Sequence, residues 1–462
     1  MDVEAIDTVL ASREPLLSEA AERARRYLSE VGDRRVSPSP EAVAALARLD
    51  FELPRVGVDP FQVLRLLDEV GSPATVATTG PRYFGFVNGG ALPLAVATSW
   101  LLSAWDQNAA LAVMSPVAAR LDSVALRWTA GLLGLPEGTS GGFVSGATMA
   151  NATCLAAARD AVLSRGGWDA AALGLVGAPP VNVVLGAEAH TTVRKALGLV
   201  GLGRDRALRL PVDAQGRIVP ENLPALSPPA IVCLQAGNVN SGASDPFPEL
   251  MAWAHGAGVW VHVDGAFGLW AAACPELAGQ VAGVQGADSW ATDAHKWLNT
   301  TYDCGIALVR DGEALRRAMQ AEADYLPPSG GRDPMHFTPQ SSQRARGIEL
   351  WAVLAGLGRE GVADLVGRTV RLAQRFADGA RGQGFEVLND VVLNQVVLTI
   401  GDGTQVDDLI AAVRRDGTCW CGPTVWRGRR AIRISVSCWA TTDADIDRSV
   451  AALGRRAEGR PT

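Results

Sequence analysis

Four short apolar runs rich in β-branched residues limit this chain more than any other feature. They are residues 181–185 (VNVVL), 230–234 (AIVCL), 259–263 (VWVHV) and 306–309 (IALV). Their length and near-continuous hydrophobicity suit strands buried on both faces. Helically patterned stretches lie between them, including 147–162 and 248–255. Such alternation predicts an α/β unit with a mainly parallel central sheet covered by helices on both sides. In a sheet of this kind, ligands bind outside the carboxyl ends of the strands.

The flanks read differently. Residues 14–27 carry apolar side chains at helical spacing, Ser37-Pro-Ser-Pro40 breaks the chain, and 41–49 resumes a helix. This arm has little core of its own and is expected to lie on a partner subunit. Beyond residue 345, a helix at 347–357 leads to strands near 392–400 and 431–437, with helices at 406–416 and 442–455. That pattern predicts a small α+β unit. The expected division is a helical arm and dimerisation segment at 1–84, a large ligand-binding α/β domain at 85–345, and a small C-terminal α+β domain at 346–462.

With 462 residues, 48% hydrophobic and 20% charged, the chain can bury a large core in more than one domain. A net charge of -7 argues against nucleic acid or an anionic membrane as the main partner. The longest apolar stretch, 91–105, is interrupted by Pro93, Thr98, Ser99 and Ser103, and is too short to span a bilayer. The acidic N-terminus lacks a charged-then-apolar leader pattern, and the seven cysteines are odd in number and scattered. Both point to a reducing cytoplasm. Cys419 and Cys421 flank Trp420 with no further ligand at zinc spacing, so no metal site is expected.

Five segments carry chemistry. The first two are Val261-His-Val-Asp-Gly-Ala266 and Ala291-Thr-Asp-Ala-His-Lys-Trp-Leu298. A lysine directly after a histidine, shortly beyond a strand ending in aspartate, is what a pyridoxal 5′-phosphate (PLP) site needs. The lysine holds the cofactor's aldehyde as a Schiff base, and the aspartate keeps the pyridine nitrogen protonated so the ring accepts electrons. Lys296 and Asp264 are the candidates. Taken alone, Lys296 also reads as a surface lysine after a helix-capping Asp293. Gly141-Gly-Phe-Val-Ser-Gly-Ala-Thr-Met-Ala-Asn151 is a strand-to-helix turn of small residues. Its Ala147, Thr148 and Met149 amides and the Thr148 hydroxyl could hold a phosphate, or simply begin a capped helix.

His190 follows the strand ending at Leu185 and either stacks on a pyridine ring or caps the next helix. In the polar, Gly-rich segment after Leu234, Asn240 is a candidate for the ring oxygen, and Asp245-Pro246 reads as the start of a helix.

Phosphate loop, histidine, polar loop, aspartate and lysine thus come in a set order. Together with Pro81-Arg-Tyr-Phe-Gly-Phe86, Ser115-Pro116, His295-Lys-Trp297 and Asp303-Cys304, they make the sequence resemble the group II PLP-dependent amino acid decarboxylases over nearly its whole length. These include aromatic amino acid, glutamate and diaminobutyrate decarboxylases. The resemblance implies the fold type I, aspartate aminotransferase-like architecture of PLP-dependent transferases, and a homodimer with shared active sites. It implies PLP on Lys296, Asp264 at the pyridine nitrogen, Ala266 against the ring face opposite His190, and His295 supporting the phosphate or the Schiff base. Tyr325, in Ala323-Asp-Tyr-Leu326, matches a tyrosine that protonates the substrate carbon after CO2 leaves, and Ser342 matches a contact to the partner's cofactor phosphate. The side-chain pocket corresponds to Phe86, Val87 and Asn88, with Asn108 and Ala110 from the partner. The implied reaction takes a small-molecule L-amino acid to its amine and CO2. Transamination, aldol-type cleavage and decarboxylation with oxidative deamination remain open on the same scaffold.

Overall fold

The apolar runs do form strands in a computed structural model, which describes residues 13–221, 223–321 and 331–457. Strands β1 (Ser140–Val144), β2 (Asn182–Gly186), β3 (Leu208–Leu210), β4 (Ala230–Gln235), β5 (Trp260–Asp264), β6 (Ser289–Asp293) and β7 (Gly305–Val309) make one sheet in the order β1-β7-β6-β5-β4-β2-β3. The β3-β2-β4-β5-β6 pairs are parallel, and β7 is antiparallel to both of its neighbours. The sheet is therefore mixed but mainly parallel. Every residue of β4, β5, β6 and β7 is buried, as expected for strands covered on both faces.

Three strands, β1, β3 and β6, lie outside the four predicted runs. β1 contains Gly141-Gly142, which lacks a strand's usual side chains. Close approach explains the glycines: a Cβ on Gly141 would stand 2.3 Å from the Ala307 carbonyl, and one on Gly142 2.6 Å from that of Phe337. β6 reads Ser-Trp-Ala-Thr-Asp, too polar for a continuous run, yet it sits between β5 and β7.

Helix Ala147–Ser164 is buried almost all round, which its run of alanines permits by letting neighbours approach closely. The long helix Arg346–Gly382 continues well past the predicted 347–357, bending at Gly358, whose φ of 63° is left-handed. It leads into a second, antiparallel sheet, with order β10-β11-β9-β8, of β8 (Glu386–Val387), β9 (Gln395–Thr399), β10 (Gly422–Trp426) and β11 (Arg429–Ser435), packed with helices Val406–Asp416 and Asp443–Ala457. At the other end, helix Arg13–Glu30 buries none of its residues within the chain. Among the described residues no helix is long and apolar enough to cross a membrane.

Candidate active site

The sheet's direction gathers the motifs at one edge. The turns after β1, β2, β4, β5 and β6 all leave at the carboxyl ends of the parallel strands. Pairing of Gln235 with Asp264 and of Asp264 with Ala291 sets Asp264 at the centre of that edge. This is where an open α/β sheet binds ligands.

Asp264 is buried, and its Oδ1 accepts from the Ala266 amide at 3.2 Å. Its other oxygen has no hydrogen-bond partner among the described residues. Burial pushes the carboxyl up from its ordinary range, opposed by His190 and Lys296. A carboxylate so placed favours a cation or N–H donor beside it.

Behind Asp264, the strand neighbour His262 is fully buried. Its ring bonds Asn151 Oδ1 at 2.8 Å through Nε2 and Ser289 Oγ at 2.9 Å through Nδ1. Burial brings His262 down to about 3, so it is a neutral strut between β5, β6 and helix Ala147–Ser164.

Lys296 lies three residues past β6. Its Nζ pairs with Asp293 Oδ2 at 3.1 Å, while Asp293 Oδ1 is buried without a partner. Asp293 ends a strand and no helix follows it, so it pairs with the lysine rather than capping a helix. The lysine turn is tied down on both sides. Trp297, fully buried, donates from Nε1 to Thr369 Oγ1 at 2.7 Å, and Asn299 Nδ2 donates to the Ser437 carbonyl at 3.0 Å. Loss of a buried tryptophan costs about 3–5 kcal/mol, so the turn is held by the same packing that holds the two sheets together.

His190 both caps and faces the site. It is the N-cap of helix Thr191–Leu199, where Nδ1 accepts from the Thr192 amide at 3.3 Å. An accepting Nδ1 places the proton of a neutral ring on Nε2. Burial lowers the His190 pKa, with Asp264 opposing and Lys296 and Arg433 reinforcing. His295 is likewise lowered by burial; its Nδ1 lies 3.0 Å from the Cys304 carbonyl and its ring packs on Tyr302 at 4.3 Å.

Helix Ala147–Ser164 starts beside His295. A Cβ on Gly146 would be 3.4 Å from His295 Cε1, and one on Gly305 would be 2.4 Å from Gly146 Cα. At Gly305 only backbone fits. The Met149 amide already bonds the Gly146 carbonyl at 2.9 Å, so two of the three expected amides, those of Ala147 and Thr148, stay free of backbone partners.

Asn240 is held from the second sheet, its Oδ1 accepting from Thr424 Oγ1 at 2.8 Å. Asp245-Pro246 does lead into helix Phe247–Gly256, but the Asp245 side chain serves the loop instead. Its two oxygens accept from the Ile218 and Gln235 amides at 2.8 and 2.7 Å, clasping the loop, and no side chain caps helix Phe247–Gly256.

Of the pocket residues, Phe86 is exposed, Val87 is buried, and both have left-handed φ, 53° and 62°. Such angles are strained for non-glycine residues, above all for a β-branched valine. They turn the chain so that Gly89 lies against the Lys296 carbonyl, where a Cβ would stand 1.7 Å away. Asn108, Ala110 and Ser342 form a separate group. Asn108 Nδ2 donates to Ser342 Oγ at 3.1 Å, and Asn108 Oδ1 accepts from the Ala110 amide at 3.1 Å. Ser342 is exposed. Tyr325 lies outside the described residues.

Sequence reading missed Arg433 of β11. The guanidinium is largely buried, its pKa lowered by burial and raised by Tyr83, and it makes no hydrogen bond or ion pair with the described residues. It acts electrostatically on His190. An arginine inside Ala431-Ile-Arg-Ile-Ser435 was the available signal, but strand alternation allows an outward-facing side chain there. Tyr302, on the face of His295, gave no signal at all.

Known proteins share this chain's sequence pattern and fold. Residues 70–400 match the Pyridoxal-dependent decarboxylase conserved domain. Tryptophan decarboxylase 1 of Oryza sativa subsp. japonica is 28% identical over 82% of this chain and 80% of its own length. Phenylacetaldehyde synthase of Arabidopsis thaliana is 27% identical over 72% of this chain and 73% of its own. The crystal structure of Oryza sativa TDC with PLP and tryptamine superposes with a TM-score of 0.88 at 24% identity, covering 97% of this chain and 98% of that one. Mouse CSAD in apo form gives 0.88 at 22% identity, over 98% of this chain and 100% of that one. The architecture is that of fold type I. The chain belongs to the pyridoxal-dependent decarboxylases, PLP-dependent carboxy-lyases acting on an amino acid.

Proposed function

We propose the following division of labour for PLP-dependent decarboxylation of an amino acid to its amine. The residues fit the cofactor: a buried carboxylate with one oxygen free of partners among the described residues, two helix-terminal amides in a glycine-lined cradle, and a lysine amine share one edge of the sheet. When bound, PLP supplies an electron sink for the carbon that loses CO2. Lys296 provides the amine that holds the cofactor's aldehyde. Asp264 keeps a proton on the pyridine nitrogen. The Ala147 and Thr148 amides bind the phosphate at the positive end of the helix dipole, with Met149 beside them and His295 and the partner subunit's Ser342 in support. His190 and Ala266 confine the ring, and Asn240 reaches its oxygen.

Arg433 orients the substrate carboxylate, since a buried guanidinium without an acid partner favours an anion. Phe86, Val87 and Asn88 line the side-chain pocket, with the partner subunit's Asn108 and Ala110. Tyr325 returns the proton to the carbon. The observation that carries this reading is the placement of His190, Asp264 and Lys296 just beyond or at the carboxyl ends of β2, β5 and β6, on one edge of the sheet.

The test is a panel of L-amino acids assayed together for CO2, amine and oxygen uptake. Amine equal to CO2, without oxygen uptake, is the expected result. A second reading, an aldehyde product formed with oxygen, is favoured by the likeness to phenylacetaldehyde synthases of Arabidopsis thaliana and Petunia hybrida. Tyr325 separates the two. Tyr325→Phe should slow amine formation by about 100-fold and divert carbon to aldehyde, ammonia and peroxide. Wild-type oxygen uptake equal to CO2 release would put the second reading first.

The exposed apolar surface supports a homodimer with shared sites, in which 1–84 is the dimerisation arm, 85–345 binds the cofactor and 346–462 packs against it. Eighteen of the twenty-four large apolar side chains exposed among the described residues fall between Leu17 and Val117, including Phe51, Leu53, Trp100 and Trp105. So much apolar exposure concentrated in one stretch of the chain supports a partner there. Sedimentation of the wild type should give a dimer, and Trp100→Glu with Trp105→Glu should weaken it and its activity together. An active monomer at assay concentration would refute the shared site.

A further inference from the structure

At the opposite edge of the large sheet lies a cavity that the decarboxylase reading does not use. β1 runs parallel to β6, because β7 is antiparallel to both. Ser140 therefore starts β1 at the amino edge, about 13 Å along the strand from Val144 and the turn at Gly146. Helix Pro116–Leu132, the loop 135–139, Ser140 and Arg332 surround a cavity of about 620 Å³ there. That size suits a small organic ligand.

The wall combines apolar and cationic groups. Leu126, Ala130, Leu135 and Pro136 supply hydrocarbon, and the first three are buried. Arg127 and Arg332 supply guanidinium groups. Arg332 Nη2 donates to the Gly141 carbonyl, and the guanidinium lies over the Phe337 ring at 4.0 Å. Its Nη1 is buried and has no hydrogen-bond partner among the described residues. Burial lowers the Arg332 pKa, and the buried Asp122 carboxyl opposes this without forming an ion pair. Arg127 is exposed, with no hydrogen bond or ion pair to the described residues.

One acid, the exposed Glu137, stands on the described part of the wall. Two guanidiniums against one carboxylate leave a single positive charge in excess. That balance favours a monoanion over a phosphate dianion. A guanidinium shielded from water without an acid gains most from a carboxylate, which accepts two of its N–H bonds at once.

We infer that this cavity is a second binding site, remote from the cofactor edge, for a small-molecule monocarboxylate with an apolar body. Arg127 and Arg332 hold the carboxylate, and the body lies on Leu126, Ala130 and Leu135.

The test titrates the PLP-loaded protein by calorimetry with octanoate, 1-octanol and acetate. Octanoate should bind at least about tenfold more tightly than either control, since octanol lacks the charge and acetate the apolar body. Arg127→Gln removes a surface charge that holds nothing in the fold, so amine formation should stay within about twofold of wild type. The same variant should weaken octanoate by about tenfold or more, and Arg332→Gln likewise. Arg433→Gln, at the catalytic edge, should keep the octanoate Kd within about twofold. Absent octanoate binding, either control bound as tightly, or an unchanged Kd in Arg127→Gln overturns the inference. Loss of octanoate binding in Arg433→Gln would place the anion at the catalytic edge and overturn it too. Binding is read without turnover, so this inference stands or falls apart from the decarboxylase reading.

Discussion

Replacing Lys296 by alanine should strip covalent cofactor from the purified protein and lower amine formation by roughly 10⁴-fold or more. No other described amine can take its place at the strand edge. Lys195, the chain's only other lysine, lies within helix Thr191–Leu199. The loss should be chemical rather than structural. Lys296 is partly exposed and its one close partner is Asp293, whereas the turn is held by Trp297 and Asn299. Thermal unfolding of Lys296→Ala should therefore stay close to that of wild-type apoprotein. Borohydride treatment of the holoenzyme, followed by peptide mass mapping, should find the reduced label on Lys296. A label on Lys195, or turnover surviving in Lys296→Ala, would remove Lys296 from the centre of the mechanism.

Asp264→Asn is expected to have the next largest effect. The substitution preserves shape and removes only the negative charge. Breaking a buried charge pair costs about 3–5 kcal/mol, which corresponds to roughly 200- to 5,000-fold in rate. Burial drives the Asp264 carboxyl upward, so without a cationic neighbour this group tends to take up a proton. A pyridinium N–H supplies that neighbour, and each charge then stabilises the other. In Asp264→Asn the ring nitrogen should lose its proton, so the cofactor's absorption should shift while Lys296 remains labelled by borohydride. Unchanged absorption together with a wild-type rate would mean that Asp264 does not face the ring nitrogen.

Much of this candidate site is legible in the sequence itself. Asp264 and His190 each follow a recognisable strand, Lys296 stood out as a lysine directly after a histidine, and parallel strands deliver their C-terminal residues to one edge. Local pattern was enough there, because burial on both faces leaves a continuous apolar signature. The same rule failed for β1 and β6. Gly141 and Gly142 are dictated by a close backbone approach, and β6 borrows its burial from the strands on either side.

What the sequence by itself determined was therefore the class of fold, the order of the chemical groups along it, and the family to which they belong. These depend on residue type and on spacing within single elements. Tertiary structure alone decided which distant residues share the site. Arg433 comes from the second sheet, and Tyr302 meets Asn88 across 214 positions. It also decided that Asp293 holds Lys296, that Met149's amide is already engaged, and that Asp245 clasps a loop. Each depends on where a donor finds its acceptor after folding. No local propensity encodes that, because the partner is supplied by packing and the penalty for a missing partner arises only once water has been excluded.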